Sequence, residues 1–190
     1  PSLEVAHLTV TADLHNAGKQ AVKGTLRGQI ENTHFSQGVE LAAGESKVVV
    51  FSPERFPQLN IAQPRLWWPA QLGPQNLYDL KVEFELDGRV SDGQTVQFGI
   101  REVTSELNEK GCRVFKINGK NILIRGAGWA PDMMLRAVPE RQEAEIRYVK
   151  DMNLNTIRLE GKLEDDNFLS LCDRYGILIL AGWCCCDHWE

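Results

Sequence analysis

The chain has 190 residues, of which 43% are hydrophobic and 25% are charged, so it can bury the core of one large domain or of two small ones. Its net charge of -5 arises from 21 basic and 26 acidic residues spread along the sequence, which leaves no basic stripe for nucleic acid. No apolar run reaches the roughly 18 residues that a membrane helix needs, so neither nucleic acid nor a membrane is expected as a partner.

The first hundred residues show the alternation of apolar and polar side chains that is typical of strands with one buried face. Every second residue between Leu8 and Leu14 is apolar, and a turn at 16–19 precedes a second alternating run at 22–30. Further strands are predicted at 47–51, 78–86 and 94–100. Because no convincing helix interrupts this series, residues 1–103 are predicted to form an immunoglobulin-like β-sandwich.

Two adjacent tryptophans, Trp67 and Trp68, stand before Pro69 in this region. Their ring faces suit a platform on which a sugar stacks, but large aromatic side chains are also common core residues. The core position is favoured for at least one of the two tryptophans.

The apolar spacing changes after residue 103. Asn118-Gly119 between two strand-like runs, 113–117 and 121–125, predicts a β-hairpin. An apolar stripe that contains Ile146, Tyr148, Val149 and Met152 predicts a helix from Pro139 to about Asp151.

The last forty residues predict a buried strand, a helix and another buried strand. The strands are the apolar runs 156–159 and 177–180. The helix between them is expected to begin at a cap, Asp165 or Asp166, to bury Phe168, Leu171, Cys172 and Tyr175, and to end at Gly176.

The order strand, helix, strand, helix, strand with short connections implies parallel pairing through right-handed crossovers. Residues 104–190 are therefore predicted to be the N-terminal portion of a (β/α)8 TIM barrel, truncated before its remaining strands. The carboxyl ends of parallel strands meet at one edge, where such folds build their sites. The aromatic and polar residues expected at that edge are Trp129, Asp132, Arg158, Glu160, Trp183, Asp187 and Glu190.

Five cysteines, an odd number of which three are adjacent, do not make a disulfide framework. Consecutive residues of an extended segment point to opposite sides, so Cys184, Cys185 and Cys186 are not expected to face one ion together with His188. The thiols are predicted to be buried or to line a pocket, and no metal or cofactor is expected; metal or redox chemistry is the alternative.

Several short motifs occur in a specific order: PRLW (64–67), NLY (76–78), FGIR (98–101), FKINGK (115–120), IRG (124–126) and NTIR (155–158). In this order they resemble glycoside hydrolase family 2. The motifs GWAPD (128–132), RLEG (158–161) and GWCCCDHWE (182–190) are similar to the exo-β-D-glucosaminidase (exochitosanase) branch of that family.

The resemblance implies a retaining enzyme that comprises a jelly roll, an immunoglobulin-like sandwich and a catalytic barrel. Such enzymes use two carboxyl groups that stand roughly 5–5.5 Å apart. Neither catalytic glutamate of the family matches a position in this chain, so we expect an inactive fragment and assign no catalytic residue. The expected activity of the whole enzyme is removal of a terminal β-linked sugar, with glucosamine favoured, from a chitosan-type oligosaccharide or another β-glycoside.

The resemblance also implies supporting roles at the active site. Arg158 matches the family arginine beside the nucleophile, where it would hold that carboxylate ionised, with a surface ion pair as the alternative. Asp132 and Glu160 are candidates for binding sugar hydroxyls or the ammonium of glucosamine, with a loop cap or a structural partner as the alternative. Trp129 and Trp183 are candidates for walls of the sugar subsite, with packing at the mouth of the barrel as the alternative, and Asp187 is a further candidate at this edge.

The motifs indicate the family more closely than they indicate which sugar the enzyme accepts. Cys184 stands where the glucosaminidase pattern has a glutamate, and a thiol removes a charge that would recognise an amino sugar. A β-mannosidase-like specificity therefore stays open, as does a non-catalytic carbohydrate-binding or scaffold module.

Overall fold

The computed structural model describes residues 3–134, 136–161 and 163–182. They form two compact units, the first of residues 3–64 and 78–98, the second of residues 65–77 and the described residues from 99 onwards. Within the described ranges, no helix is long and apolar enough to cross a membrane.

The first unit is built from antiparallel strands. They are β1 (Val5–His7), β2 (Val10–His15), β3 (Val22–Ile30), β4 (Thr33–Leu41), β5 (Ser46–Phe51), β6 (Asn60–Ala62), β7 (Tyr78–Leu86) and β8 (Arg89–Phe98). One sheet has the order β4-β3-β7-β8, while β2 pairs with β5 and β1 pairs with β6. A single turn of 3-10 helix at Pro57–Leu59 precedes β6.

The sheets of this unit pack face to face through aromatic rings. Phe35 of β4 meets Phe51 of β5 edge to face, with ring centroids 4.8 Å apart, an arrangement that aromatic pairs prefer. Gly28 makes this contact possible, because a β-carbon at that position would lie 2.0 Å from the Phe35 ring. The first unit is therefore sandwich-like, as the alternating pattern predicts.

Strand β4 is absent from the sequence-based prediction. Its inward positions include Gln37, which stands between the buried residues Phe35 and Val39 and interrupts the apolar alternation. Backbone pairing along the whole of β3 nevertheless forms the strand. The last strand of the unit, β8, also begins earlier than predicted, at Arg89.

The second unit combines a hairpin sheet with a parallel sheet and two helices. The hairpin sheet contains β9 (Val103–Leu107), β10 (Arg113–Ile117) and β11 (Lys120–Ile122), in the order β11-β10-β9. The parallel sheet has the order β12 (Gly126–Trp129), β13 (Thr156–Leu159) and β14 (Leu178–Leu180). The helices are α1 (Pro139–Asp151) and α2 (Asp166–Tyr175), and the described residues form no closed barrel.

The predicted hairpin is confirmed, but the strand that opens the parallel sheet differs from the prediction. Strand β12 covers Gly126–Trp129, so Trp129 ends this strand and does not lie beyond it. Glycine and alanine are poor strand formers, which is why the segment does not read as a strand. Gly126 suits it because a β-carbon there would lie 2.1 Å from the carbonyl oxygen of Thr156 on β13.

Both predicted helices are confirmed. Asp165 caps α2 by accepting a hydrogen bond from Phe168 N at 2.9 Å, and Gly176 ends the helix with a φ of 76°. The core between helices and sheet contains Ile146, Val149, Ile157, Leu159, Phe168, Leu171, Cys172 and Ile177. Tyr148 and Met152 are exposed, contrary to the predicted stripe, because the buried face of α1 passes through Gln142, Ile146 and Val149.

Trp67, whose side chain is 1% exposed, fixes segment 65–77 to the rest of the second unit. Its indole nitrogen donates a hydrogen bond to the carbonyl of Asp173 at 2.7 Å, and the Arg101 guanidinium lies 4.4 Å from the ring centroid. Asn118 donates to the Trp67 carbonyl at 3.0 Å. Trp67 is therefore a core residue, which confirms the favoured reading of the tryptophan pair.

Candidate active-site edge

Parallel pairing brings the carboxyl ends of three strands side by side. Gly128 of β12 is registered with Arg158 of β13, which is registered in turn with Leu180 of β14. We call the residues at and just past these ends the carboxyl edge: Trp129–Asp132, Arg158–Gly161 and 181–182. The prediction that Trp129, Arg158 and Glu160 belong to one end of a parallel sheet agrees with this register.

Arg158 points away from the core because side chains alternate along β13. Ile157 and Leu159 are buried against the helices, whereas the Arg158 side chain is 63% exposed. Its Nη1 donates a hydrogen bond to Glu160 Oε1 at 2.6 Å, and the Glu160 side chain is itself 50% exposed. An ion pair this exposed contributes little free energy, so the guanidinium can exchange Glu160 for another carboxylate at small cost.

Glu160 lies directly over the neighbouring strand. A β-carbon at Gly128 would lie 2.5 Å from Glu160 Oε1, so the carboxylate occupies space that the glycine leaves open. The backbone N–H of Glu160 donates to the Trp129 carbonyl at 3.2 Å, which continues the ladder between β12 and β13. The carboxylate is thus placed between the ends of two strands, next to Arg158.

Trp129 is partly buried, and two partners fix its ring. The indole Nε1 donates a hydrogen bond to Glu164 Oε1 at 2.9 Å. The ring also packs at a tilt against Phe168, with centroids 5.1 Å apart. The ring therefore lies on the helix side of the sheet with Leu159, the residue registered with Trp129, and not on the side of Arg158. The contact with Glu164 leaves no signal in the sequence, because Glu164 lies 35 positions from Trp129 and belongs to no motif.

Asp132 is occupied by its own loop and by α1. Its carboxylate accepts hydrogen bonds from Met134 N at 2.9 Å, Arg141 Nη1 at 2.7 Å and Arg136 Nη2 at 3.5 Å, and its side chain is 14% exposed. The Met134 N–H, followed by Arg136, holds the pKa of Asp132 below its ordinary value. Asp132 is therefore an ionised loop cap, and its contact with sugar stays a prediction.

Several predicted site residues cannot be placed. The residues outside the described ranges are Trp183, Asp187 and Glu190, together with Cys184–Cys186 and His188. Across residues 3–134, 136–161 and 163–182, no group of three or more His, Cys, Asp or Glu side chains is arranged to hold a metal ion.

The two described cysteines differ in environment. Cys172 is buried, as predicted for a helix-face thiol, whereas Cys112 is exposed, so the prediction of buried or pocket-lining thiols is wrong for Cys112. Burial, followed by the charges of Asp173 and Glu164, raises the pKa of the Cys172 thiol to about 12. A thiol with such a pKa stays neutral and unreactive at ordinary pH, so Cys172 has a packing role.

Comparison with known proteins relates the chain to a family of glycosidases. The family model "Glycosyl hydrolases family 2" matches residues 1–101. An exo-beta-D-glucosaminidase of Streptomyces avermitilis is 46% identical over 190 residues, which is 100% of this chain and 21% of that protein. A beta-mannosidase of Capra hircus is 31% identical over 93% of this chain and 21% of its own length.

A solved structure shows the same relationship. The exo-chitosanase of Amycolatopsis orientalis, as a variant in complex with PNP-beta-D-glucosamine, superimposes with a TM-score of 0.90 and 41% identity. The match covers 98% of this chain and 21% of that protein. The chain therefore spans about one fifth of the length of the relatives that it matches.

Proposed function

The chain belongs to glycosyl hydrolases family 2, and from that premise we propose that it is part of a retaining exo-β-D-glucosaminidase, which hydrolyses terminal β-O-glycosidic bonds. In this proposal residues 1–103 are an immunoglobulin-like sandwich, and residues 104–190 are the N-terminal portion of a TIM-barrel catalytic domain. The carboxyl edge supports it most strongly, because parallel pairing places the Arg158–Glu160 pair at the carboxyl end of the sheet, where barrel enzymes build their sites.

A retaining glycosidase needs one carboxylic acid that protonates the leaving oxygen and one carboxylate that attacks the anomeric carbon. We assign neither role to this chain, because both catalytic glutamates of the family belong to later barrel strands. In the described structure Glu160 is paired with Arg158, and Asp132 with Met134 and the arginines.

The role proposed for Arg158 is electrostatic. Its guanidinium keeps donors beyond the one given to Glu160, since an arginine carries five N–H groups. Hydrogen bonds from those groups would hold a nucleophilic carboxylate ionised and oriented. The exposed ion pair with Glu160 contributes little stabilising free energy, so Arg158 can also turn from Glu160 towards the nucleophilic carboxylate.

The substrate proposed is a chitosan-type oligosaccharide, bound by its terminal glucosamine. Glu160 would supply a carboxylate beside a hydroxyl or the 2-ammonium of the sugar, and Trp129 stays a candidate whose contacts favour packing at the mouth of the barrel. Trp183 and Asp187 remain further candidates, as does Asp132. A β-mannosidase-like specificity is the second candidate, because a goat beta-mannosidase also matches almost the whole chain and Cys184 replaces a charged residue of the glucosaminidase pattern.

The test is an assay of the full-length enzyme that contains this sequence, against a panel of chromogenic β-glycosides. The expected result is fastest turnover of the β-D-glucosaminide, with product released first as the β-anomer in an NMR time course. Preference for the β-D-mannoside would select the second candidate. Turnover of no β-glycoside would contradict both.

A further inference from the structure

Two glycines of β12, Gly126 and Gly128, lie on the same face of the strand, but each faces a different kind of atom on β13. A β-carbon at Gly126 would overlap the backbone carbonyl of Thr156, so this glycine allows two strands to approach closely. At Gly128 the three nearest atoms all belong to the side chain of Glu160. The space at Gly128 is therefore filled by a candidate site residue and not by backbone.

The backbone does not require a glycine at position 128. The φ angle of Gly128 is not positive, so an alanine can adopt the same conformation. What stands in the way of a β-carbon is the end of Glu160, whose Oε1 and Cδ would lie 2.5 and 2.9 Å from it. Because this carboxylate ends a flexible side chain that is 50% exposed, an alanine would displace the carboxylate more readily than either strand.

A displaced carboxylate would lose its position relative to Arg158. Glu160 Oε1, the atom nearest to the space at Gly128, is the same atom that accepts the hydrogen bond from Arg158 Nη1 at 2.6 Å. Gly128 is also the residue of β12 that is registered with Arg158, so the carboxylate lies over β12 beside the guanidinium. The missing side chain at position 128 thus determines where the negative charge of Glu160 lies.

We propose that Gly128 is a positioning residue that keeps the Glu160 carboxylate where it accepts a hydrogen bond from the terminal sugar. This inference rests on the proposed function, which gives Glu160 that contact. Gly128 touches no substrate and acts through Glu160 alone. A side chain at position 128 therefore weakens substrate binding more than it slows the chemical step.

The experiment is a double-mutant cycle in the full-length enzyme with Gly128→Ala, Glu160→Ala and the double variant, assayed on a chromogenic β-D-glucosaminide and followed by thermal melts. Gly128→Ala is expected to raise KM about tenfold, the order of one hydrogen bond to a charged group, with kcat changed less than about twofold. Its melting temperature is expected to stay close to that of the wild type. In the Glu160→Ala background, Gly128→Ala is expected to add nothing to KM, because the side chain that it displaces is absent.

Two other glycines serve as controls. A β-carbon at Gly93 on β8 would lie 3.0 Å from Cγ of Glu83, which is paired with Lys81 in the first unit. Gly93→Ala is expected to leave KM and kcat unchanged, because Glu83 has no proposed contact with substrate. Gly126→Ala, which meets backbone, is expected to lower the melting temperature by the same amount with and without the Glu160 side chain.

The outcomes separate the two proposals. Wild-type enzyme that hydrolyses no β-glycoside would overturn the proposed function, and this inference with it. Wild-type turnover combined with an unchanged KM in Gly128→Ala, or with an equal rise of KM in the Glu160→Ala background, would overturn the positioning role alone. If Gly128→Ala lowers the melting temperature, the double variant is expected to restore it, and a loss of stability that persists there would equally count against the role.

Discussion

Lys81–Glu83 in the first unit and Arg158–Glu160 in the second are ion pairs of the same kind. In each, the partners stand two residues apart on a middle strand or directly after it, with N···O distances of 2.7 and 2.6 Å, and both partners are partly exposed. They differ in position along the strand. Lys81 and Glu83 lie inside β7, between antiparallel neighbours, whereas Glu160 follows β13 where three parallel strands end together. The two ion pairs are alike in themselves, and only their position in the sheet makes Arg158–Glu160 a candidate for function and Lys81–Glu83 a surface contact.

The largest effect expected from this contrast is on catalysis. Arg158→Ala in the full-length enzyme should lower kcat/KM on the order of 10²–10³-fold, the usual loss when one preorganised donor to a developing charge is removed. Its unfolding midpoint should change little, because the side chain is exposed. Steady-state kinetics with a thermal melt checks both, and Lys81→Ala is the matched variant that should keep wild-type values. Equal activities in the two variants would remove the distinction between the pairs.

The next effect is on the stability of the core between α2 and the parallel sheet. Phe168→Ala should cost about 3–5 kcal/mol of unfolding free energy, because the ring is fully buried against Trp129 and the helix core. The neighbouring Leu169 is partly exposed, so Leu169→Ala should lower the free energy of unfolding by about 1 kcal/mol or less. Urea denaturation measures both, and a similar cost at the two positions would contradict the packing described for α2.

A smaller effect is expected inside the sandwich. Gly28→Ala should destabilise by about 1–3 kcal/mol, because its β-carbon would lie 2.0 Å from the Phe35 ring and would force the Phe35–Phe51 pair apart. Gly38→Ala on the next strand meets nothing within 4 Å and should be close to neutral. Chemical denaturation of the two variants compares them, and a neutral Gly28→Ala would argue against tight packing of the two sheets.

The last effect is a pH dependence, which is absent at neutral pH and grows only above pH 9. The Cys172 thiol has an ordinary pKa of 9.0 and a folded pKa of about 12, so its stabilising contribution is complete below pH 9 and is lost as the pH rises towards 12. The stability advantage of the wild type over Cys172→Ala should therefore narrow above pH 9, because the unfolded thiol ionises first. Denaturation midpoints of both proteins from pH 8 to pH 11 give the difference, and a constant gap would show that the thiol is not protected by burial.

The two units also differ in how much of them the sequence reveals. Strand β7 was predicted with its observed ends, because Tyr78, Leu80, Val82, Phe84 and Leu86 alternate without a break. Strand β4 was missed where Gln37 takes an inward position, and β12 where glycines replace the expected apolar residues. In those segments the structure depends on backbone pairing and on the close approach of neighbouring strands. The pattern of apolar and polar side chains does not indicate either of them.

The candidate site follows the same rule. Arg158 and Glu160 were predictable, because a strand end in a parallel sheet is a general location for functional side chains. The occupation of Asp132 by Met134 and two arginines depends on the conformation of one loop, and the contact between Trp129 and Glu164 depends on how the start of α2 is placed. Neither leaves a periodic signal, so both require the structure.

The most direct test of the central claim is a crystal structure of the full-length enzyme with an intact glucosamine oligosaccharide bound to a catalytically inactive variant. We expect the terminal sugar at the carboxyl edge, and the Arg158 guanidinium within hydrogen-bond distance of a catalytic carboxylate. A terminal sugar bound away from β12, β13 and β14, or an Arg158 still paired with Glu160 alone, would contradict the account.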